Sequence, residues 1–233
     1  MANKMTKEEN RKRITDVGIV PVVRAASPQQ ALLAAEAVCA GGIPIVEVTM
    51  TVPGAIEVIR QLAKTAGKDI LVGAGTVLDS ETAQRCLDAG AEFLVSPDLD
   101  LATVKLAREK GILVMAGALT PTEVMAAWKA GSDLIKIFPC GAVGGAKYIK
   151  ALKGPFPQVP LIPTGGVSLD TAADFILAGA EALGVGGELV SASALKSGNG
   201  KEITEAARRF IAIVREARQQ NRATLNSTER NAV

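Results

Sequence analysis

The sequence contains no histidine. That absence removes Ser-His-Asp and Cys-His catalysis and every histidine-ligated metal site. Acid–base chemistry is left to Asp, Glu, Lys, Cys or the single tyrosine, Tyr148. Aromatics make up 3% of a chain that is 48% hydrophobic, so a core has to be packed from Ala, Val, Leu and Ile. The three cysteines, Cys39, Cys86 and Cys140, leave one unpaired and form no C-x-x-C spacing; they read as reduced thiols. No apolar run approaches the ~20 residues a membrane span needs. The opening "MANKMTKEENRKRIT" lacks the apolar stretch of an export signal, so a cytoplasmic protein without a membrane partner is expected. Charge is almost balanced, with 26 Lys and Arg against 24 Asp and Glu. The basic residues are scattered and rarely interleaved with aromatics, which leaves no footprint for nucleic acid.

What is present is a repeat of local pattern. Eight apolar runs recur: "IVPVV" (19–23), "IVEVT" (45–49), "ILVGAG" (70–75), "FLVSP" (93–97), "ILVMAG" (112–117), "LIKIFP" (134–139), "LIPTGG" (161–166) and "ALGVGG" (182–187). Between and after them lie Ala-rich stretches at helical spacing, 28–40, 54–66, 80–89, 100–110, 121–130, 145–153, 169–178 and 201–219. Asp79 or Ser80 and Thr120 stand at helix-start positions, and Gly90, Gly111, Gly131 and Gly179 at stops. Strands alternating with helices predict parallel βαβ units. A doubly wound sheet stays open, but eight units within 233 residues suit a single closed (β/α)8 TIM barrel better. Residues 5–17 then form an extra N-terminal helix over the bottom of the barrel. The barrel domain is expected over 1–218, and 219–233, which lacks an apolar period, as a flexible C-terminal tail.

Within "DLIKIFP" the side chains alternate, placing Lys136 with Leu134 and Phe138, and Ile135 with Ile137. Branched residues suit the helix-facing side of a barrel strand, which turns Lys136 inward. The same parity puts Glu47 with Ile45 and Thr49. Second and sixth strands of eight face each other, so one lysine and one glutamate share the barrel interior, towards the strand ends where barrel active sites are built. A structural ion pair is the alternative, though such a pair is a weak source of stability. A lysine in an apolar cavity is pushed towards the neutral amine, whose electrophile is a ketone or aldehyde. Glu47 supplies the carboxylate that imine chemistry needs. These residues suggest a Schiff-base aldolase with no metal and no cofactor. The loops "PTGGVSLD" (163–170) and "GVGGELV" (184–190) follow the seventh and eighth strands, where this barrel type commonly holds phosphate; tight turns are the other explanation of their glycines.

The motifs "EVTMTVP" (47–53), "GAGTVL" (73–78), "VSPDLD" (95–100), "LIKIFP" and "PTGGV", in this order, resemble the 2-keto-3-deoxy-6-phosphogluconate (KDPG) / 4-hydroxy-2-oxoglutarate (KHG) aldolase family over about residues 14–218. The resemblance implies a class I aldolase, a homotrimer, acting on a small 2-keto acid or sugar-phosphate substrate. It implies Lys136 as the Schiff-base residue and Glu47 as general acid/base. Thr76, Pro97 and Phe138 would shape the pyruvoyl pocket with Thr164 beside it, and Gly165, Gly166 and Gly187 would bind a distal phosphate. The implied reaction is cleavage of KDPG to pyruvate and glyceraldehyde 3-phosphate, with KHG cleavage to pyruvate and glyoxylate as a side activity.

The chain departs from that pattern at three places. Thr51 stands where many members have a carboxylate-gripping arginine, and Arg24, ending the first strand, is the candidate replacement. Gly187 stands in place of a phosphate-binding serine and is followed by Glu188, whose charge would repel a phosphate and favour non-phosphorylated acceptors; Asp98 stands where glycine is common. Cys140, Trp128 and Tyr148 read as packing residues. Three other readings remain: an aldolase for a non-phosphorylated or galactonate-type 2-keto-3-deoxy acid, a phosphate-binding isomerase or synthase needing no imine, and a non-enzymatic trimeric scaffold.

Overall fold

A computed structural model describes residues 5–65 and 69–230. Its elements run α1 (Lys7–Val17), β1 (Ile19–Val23), α2 (Pro28–Ala40), β2 (Ile45–Thr49), α3 (Ala55–Thr65), β3 (Leu71–Gly75), α4 (Ser80–Asp88), β4 (Phe93–Val95) and α5 (Leu101–Glu109). They continue with β5 (Leu113–Ala118), α6 (Pro121–Ala130), β6 (Leu134–Ile137), α7 (Ala146–Lys153), β7 (Leu161–Pro163), α8 (Ala172–Leu177), β8 (Leu183–Val185), α9 (Ala192–Ser197) and α10 (Gly200–Arg230). Every strand pair is parallel, in the order β7-β6-β5-β4-β3-β2-β1-β8, and a bridge from Thr164 to Gly184 brings β8 back against β7. Each strand lies beside its sequence neighbours and the ends meet. This is a (β/α)8 barrel, and the doubly wound alternative, whose strand order reverses at a switch point, is excluded.

Local chemistry explains the boundaries. Asp79 caps α4 by accepting from the Thr82 amide, and Thr120 forms a capping box with Glu123 ahead of Pro121 in α6. Gly131 ends α6 in the left-handed region, at φ 96°. Strand β7 is shorter than the apolar run that holds it, because Gly165 and Gly166 take positive φ and turn the chain away. A cap at Ser191 and a left-handed Gly198 frame α9, a helix not anticipated from its short Ala/Ser run.

The pairing register fixes the faces. Paired residues on neighbouring parallel strands point the same way, and Val22–Glu47–Gly73–Phe93 and Gly117–Lys136–Ile162 are two such inward rows. The alternate set, including Val46, Val48, Ile135 and Ile137, is buried under the helices. Inside, large and small residues are matched: a Cβ on Gly73 would sit 2.3 Å from the Phe93 ring.

Helix α1 lies across the N-terminal ends of the strands. Lys7 pairs with Asp133 at 2.9 Å, just before β6, and Ile14 is buried. Helix α10 packs on α2 and α8. It runs on to Arg230, so residues 219–230, expected as a loose tail, continue a helix. No glycine or proline interrupts 201–230, and Ala, Gln, Arg and Glu are good helix formers there.

Candidate active site

Lys136 and Glu47 are 3% and 2% exposed, on opposite walls of the barrel, Lys136 one residue before the end of β6 and Glu47 at the middle of β2. Burial pushes the Lys136 ammonium below its ordinary 10.5, opposed by Glu47 and assisted by Arg24. Burial raises Glu47 above 4.5, opposed by Lys136 and then Arg24. The two groups feel each other across the barrel interior, yet Glu47 Oε1 is buried without a hydrogen-bond partner. A structural ion pair would close that gap. Here the barrel holds an amine pushed towards neutrality and a carboxyl group with a free oxygen. Lys136 Nζ lies over the Phe138 ring, 5.2 Å from its centroid, a contact that holds the amine beside an apolar wall.

Small residues create this arrangement. A Cβ on Gly75 would fall 1.9 Å from Glu47 Oε1, and one on Gly184 would fall 2.1 Å from Thr164 Oγ1. Both lie within the motifs "GAGTVL" and "GVGGELV", where nothing local distinguishes them from turn glycines. Their signal is a glycine on an inward position next to a large inward side chain on the adjacent strand. Gly117, beside Lys136 in the register, lets the β4 loop cross close over β5, since a Cβ there would meet the Pro97 carbonyl carbon at 2.1 Å.

A cavity of about 140 Å3 opens above β6, β7 and β8. Arg24, Phe138, Thr164, Gly166, Gly187 and Glu188 line it, with Gly165 between Thr164 and Gly166. Phe138 connects it to Lys136. Its floor is tied together where the Cys140 and Gly141 amides donate to the carbonyls of Thr164 and Gly165, each at 2.9 Å, after a cis Phe138–Pro139 peptide. Thr76 and Pro97 do not line this cavity; they stand at the ends of β3 and β4 on the other side of the mouth. Thr76 takes φ 56°, an uncommon conformation for a β-branched residue and one that clusters at functional sites. Thr51 Oγ1 is 2.7 Å from Thr49 Oγ1, which donates to the Val23 carbonyl, so Thr51 is tied to the end of β1 beside Arg24.

The remaining reactive groups are elsewhere. Cys140 is buried and its thiol is pushed up to about 11, leaving it a weak nucleophile. Tyr148 donates to the Leu119 carbonyl and Trp128 packs on the core. Cavities of about 410 and 650 Å3 lie at the α1–α10 end, sharing Asp16, Arg218 and Arg222. No candidate site residue faces them.

The family model for KDPG and KHG aldolase matches residues 11–206. The chain belongs to that family. Its members are aldolases, which are lyases, and their sequence relatives span nearly the whole chain. The KHG/KDPG aldolase of Escherichia coli (strain K12) is 38% identical over 199 residues, 85% of this chain and 92% of that protein. The 2-dehydro-3-deoxy-phosphogluconate aldolase of Dickeya dadantii (strain 3937) is 38% identical over 83% of this chain and 91% of that one. Among solved structures, the KDPG aldolase from Legionella pneumophila, with pyruvate captured at low pH as a covalent carbinolamine intermediate, superposes with TM-score 0.80 at 32% identity, covering 86% of this chain and 97% of that chain. Among the described residues no helix is long and apolar enough to cross a membrane.

Proposed function

We propose that this chain is a class I aldolase that cleaves a 2-keto-3-deoxy acid to pyruvate and an aldehyde through an imine on Lys136. The observation that supports this reading is a buried lysine, lowered by burial, facing an unpartnered buried carboxyl oxygen across the barrel interior. The carbinolamine trapped in the Legionella relative supports the same chemistry.

In this mechanism the neutral Lys136 amine adds to the C2 carbonyl of the substrate. Glu47, holding a proton because burial raises its pKa, donates it to the departing hydroxyl, and water leaves. The Glu47 carboxylate then removes the C4 hydroxyl proton. The C3–C4 bond breaks, its electron pair flows into the protonated imine, and the aldehyde departs from the resulting enamine. Glu47 returns the proton to C3, and water hydrolyses the imine to pyruvate and free Lys136. Arg24 grips the substrate carboxylate from the end of β1. Thr76, Pro97 and Phe138 enclose the pyruvoyl group, Thr164 stands beside it, and Gly165, Gly166 and Gly187 present backbone to the distal end.

Two readings of the aldehyde half rest on different observations. The relatives' names point to KDPG, giving glyceraldehyde 3-phosphate, with KHG giving glyoxylate as a side activity. A non-phosphorylated substrate is favoured by Glu188, which lines the distal cavity. We propose further that the enzyme works in the cytoplasm as a homotrimer, on the family pattern.

Borohydride reduction in the presence of pyruvate, followed by peptide mapping, tests the reaction. A reduced pyruvyl adduct on Lys136, absent from Lys136→Ala, is the expected result. A folded protein that gives no adduct would instead support an imine-free isomerase or synthase, or a scaffold.

A further inference from the structure

We infer that Glu188 sets substrate specificity, giving the cavity a negative distal end that takes a neutral, hydroxylated aldehyde tail in preference to a phosphorylated one. The inference rests on the aldolase reading above and concerns only the part of the substrate that leaves as aldehyde.

The cavity above β6, β7 and β8 carries two charged side chains among the described residues that line it, Arg24 and Glu188. They come from different strand ends. Arg24 follows β1, which pairs with the Glu47 strand, and its charge acts on both Lys136 and Glu47. Glu188 follows Gly186 and Gly187 on the loop after β8 and is exposed. A substrate with a carboxylate beside its keto group meets Arg24. Its far end meets a carboxylate.

Loops after the seventh and eighth strands, with a short extra helix, are where this barrel type commonly holds phosphate. All three parts are present here, but the charges are wrong for a dianion. Among the described residues no cation forms a close ion pair with Glu188, and Arg24 is the basic side chain that lines the same cavity. The first turn of α9 is also occupied from within: Ser191 Oγ accepts from the Ala194 amide at 3.1 Å and donates to the Glu202 carboxylate at 2.8 Å. Glu188 is exposed, so its repulsion of a phosphate is moderate and weakens as salt is added. A hydroxyl, by contrast, donates a hydrogen bond to a carboxylate and loses nothing to charge. Gly186 and Gly187 leave open space beside the acid, with nothing within 4 Å of a Cβ built on either. A hydroxylated tail has room to reach it.

The test compares pyruvate release from 2-keto-3-deoxygluconate and its 6-phosphate, coupled to lactate dehydrogenase, in the full chain and in Glu188→Gln and Glu188→Lys. The wild-type kcat/KM is expected to favour the unphosphorylated acid by about tenfold or more, a difference of about 1.4 kcal/mol. Glu188→Gln is expected to shift the ratio about tenfold towards the phosphate ester, and Glu188→Lys further. Raising salt from about 0.05 M to about 0.5 M is expected to help the phosphate ester in the wild type, and to do so much less in Glu188→Gln. A wild type that prefers the phosphate ester, or a ratio that neither substitution moves, overturns the inference and leaves the aldolase reading intact. So does a pyruvyl adduct on Lys136 with release from neither substrate. No adduct and no release overturns both.

Discussion

A Cβ on Gly75 would lie 1.9 Å from Glu47 Oε1, so the glycine ending β3 holds open the space that the β2 carboxylate occupies. Glu47 belongs to the site only because its neighbour has no side chain. Gly75→Ala is expected to displace Glu47 and lower kcat about a hundredfold, as misplacement by about 1 Å does elsewhere. Overpacking adds a stability cost of about 1–3 kcal/mol. The pyruvyl adduct on Lys136 should still form, but more slowly, since the amine is untouched while the acid that helps water leave is displaced. Wild-type turnover in Gly75→Ala would show that the position of Glu47 does not matter.

The buried pair makes stability depend on pH in a defined sense. Burial lowers Lys136 below 10.5, so between its lowered folded value and 10.5 the unfolded chain holds more protons and stability rises with pH. Burial raises Glu47 above 4.5, so just above 4.5 the folded chain holds more protons and stability falls as pH rises. The combined penalty is therefore greatest between the two windows. Lys136→Met/Glu47→Gln is expected to be inactive yet more stable than wild type at neutral pH, by about 1–4 kcal/mol. The gain should shrink as pH falls towards 4.5 or rises towards 10.5. Thermal melts across that range check this; a difference independent of pH would assign the pair an ordinary packing role.

Arg24 is exposed at the mouth, yet its charge reaches both catalytic candidates. Arg24→Ala is expected to raise KM for a keto acid about 10- to 100-fold, with a smaller effect on kcat, because a charge-assisted contact to the substrate carboxylate is lost. Thr51 is tied through Thr49 to Val23, one residue from Arg24. Arg24→Ala/Thr51→Arg is therefore expected to recover part of the affinity from the neighbouring strand. Steady-state kinetics decide it, and an unchanged KM in Arg24→Ala would remove Arg24 from the site.

At the opposite end, the Arg218 guanidinium donates to the carbonyls of Thr15 at 2.6 Å, Asp16 at 2.7 Å and Glu181 at 2.9 Å. It ties α10 to the end of α1 and to the start of β8. Arg218→Ala is expected to cost about 2–4 kcal/mol, since hydrogen bonds to a charged group are the stronger ones. Pyruvate release below the lowered Tm should be unaffected. Chemical denaturation with parallel assays measures both.

Much of this protein is determined by sequence alone. The eight apolar runs, the caps at Asp79 and Thr120 and the glycine stops define alternating strands and helices, because each depends on neighbours within a few residues. Strand parity puts Lys136 and Glu47 on inward faces for the same reason: alternation is a property of an extended chain, whatever it packs against. The lack of histidine narrows the chemistry before any fold is known.

Other features needed the closed barrel. Glycines 75 and 184 are indistinguishable from turn glycines until the register sets them beside Glu47 and Thr164, contacts that lie 28 and 20 residues apart in the chain. The loops carrying Thr164 and Glu188 meet at one cavity, together with Arg24, only because β8 returns between β7 and β1. The helicity of 219–230 follows from propensity and uninterrupted continuation, not from an apolar stripe, so an apolar period does not show it; residues 231–233 lie outside the described residues. Sequence determines which side chains face inward; which of them share a cavity is decided by strand order and closure.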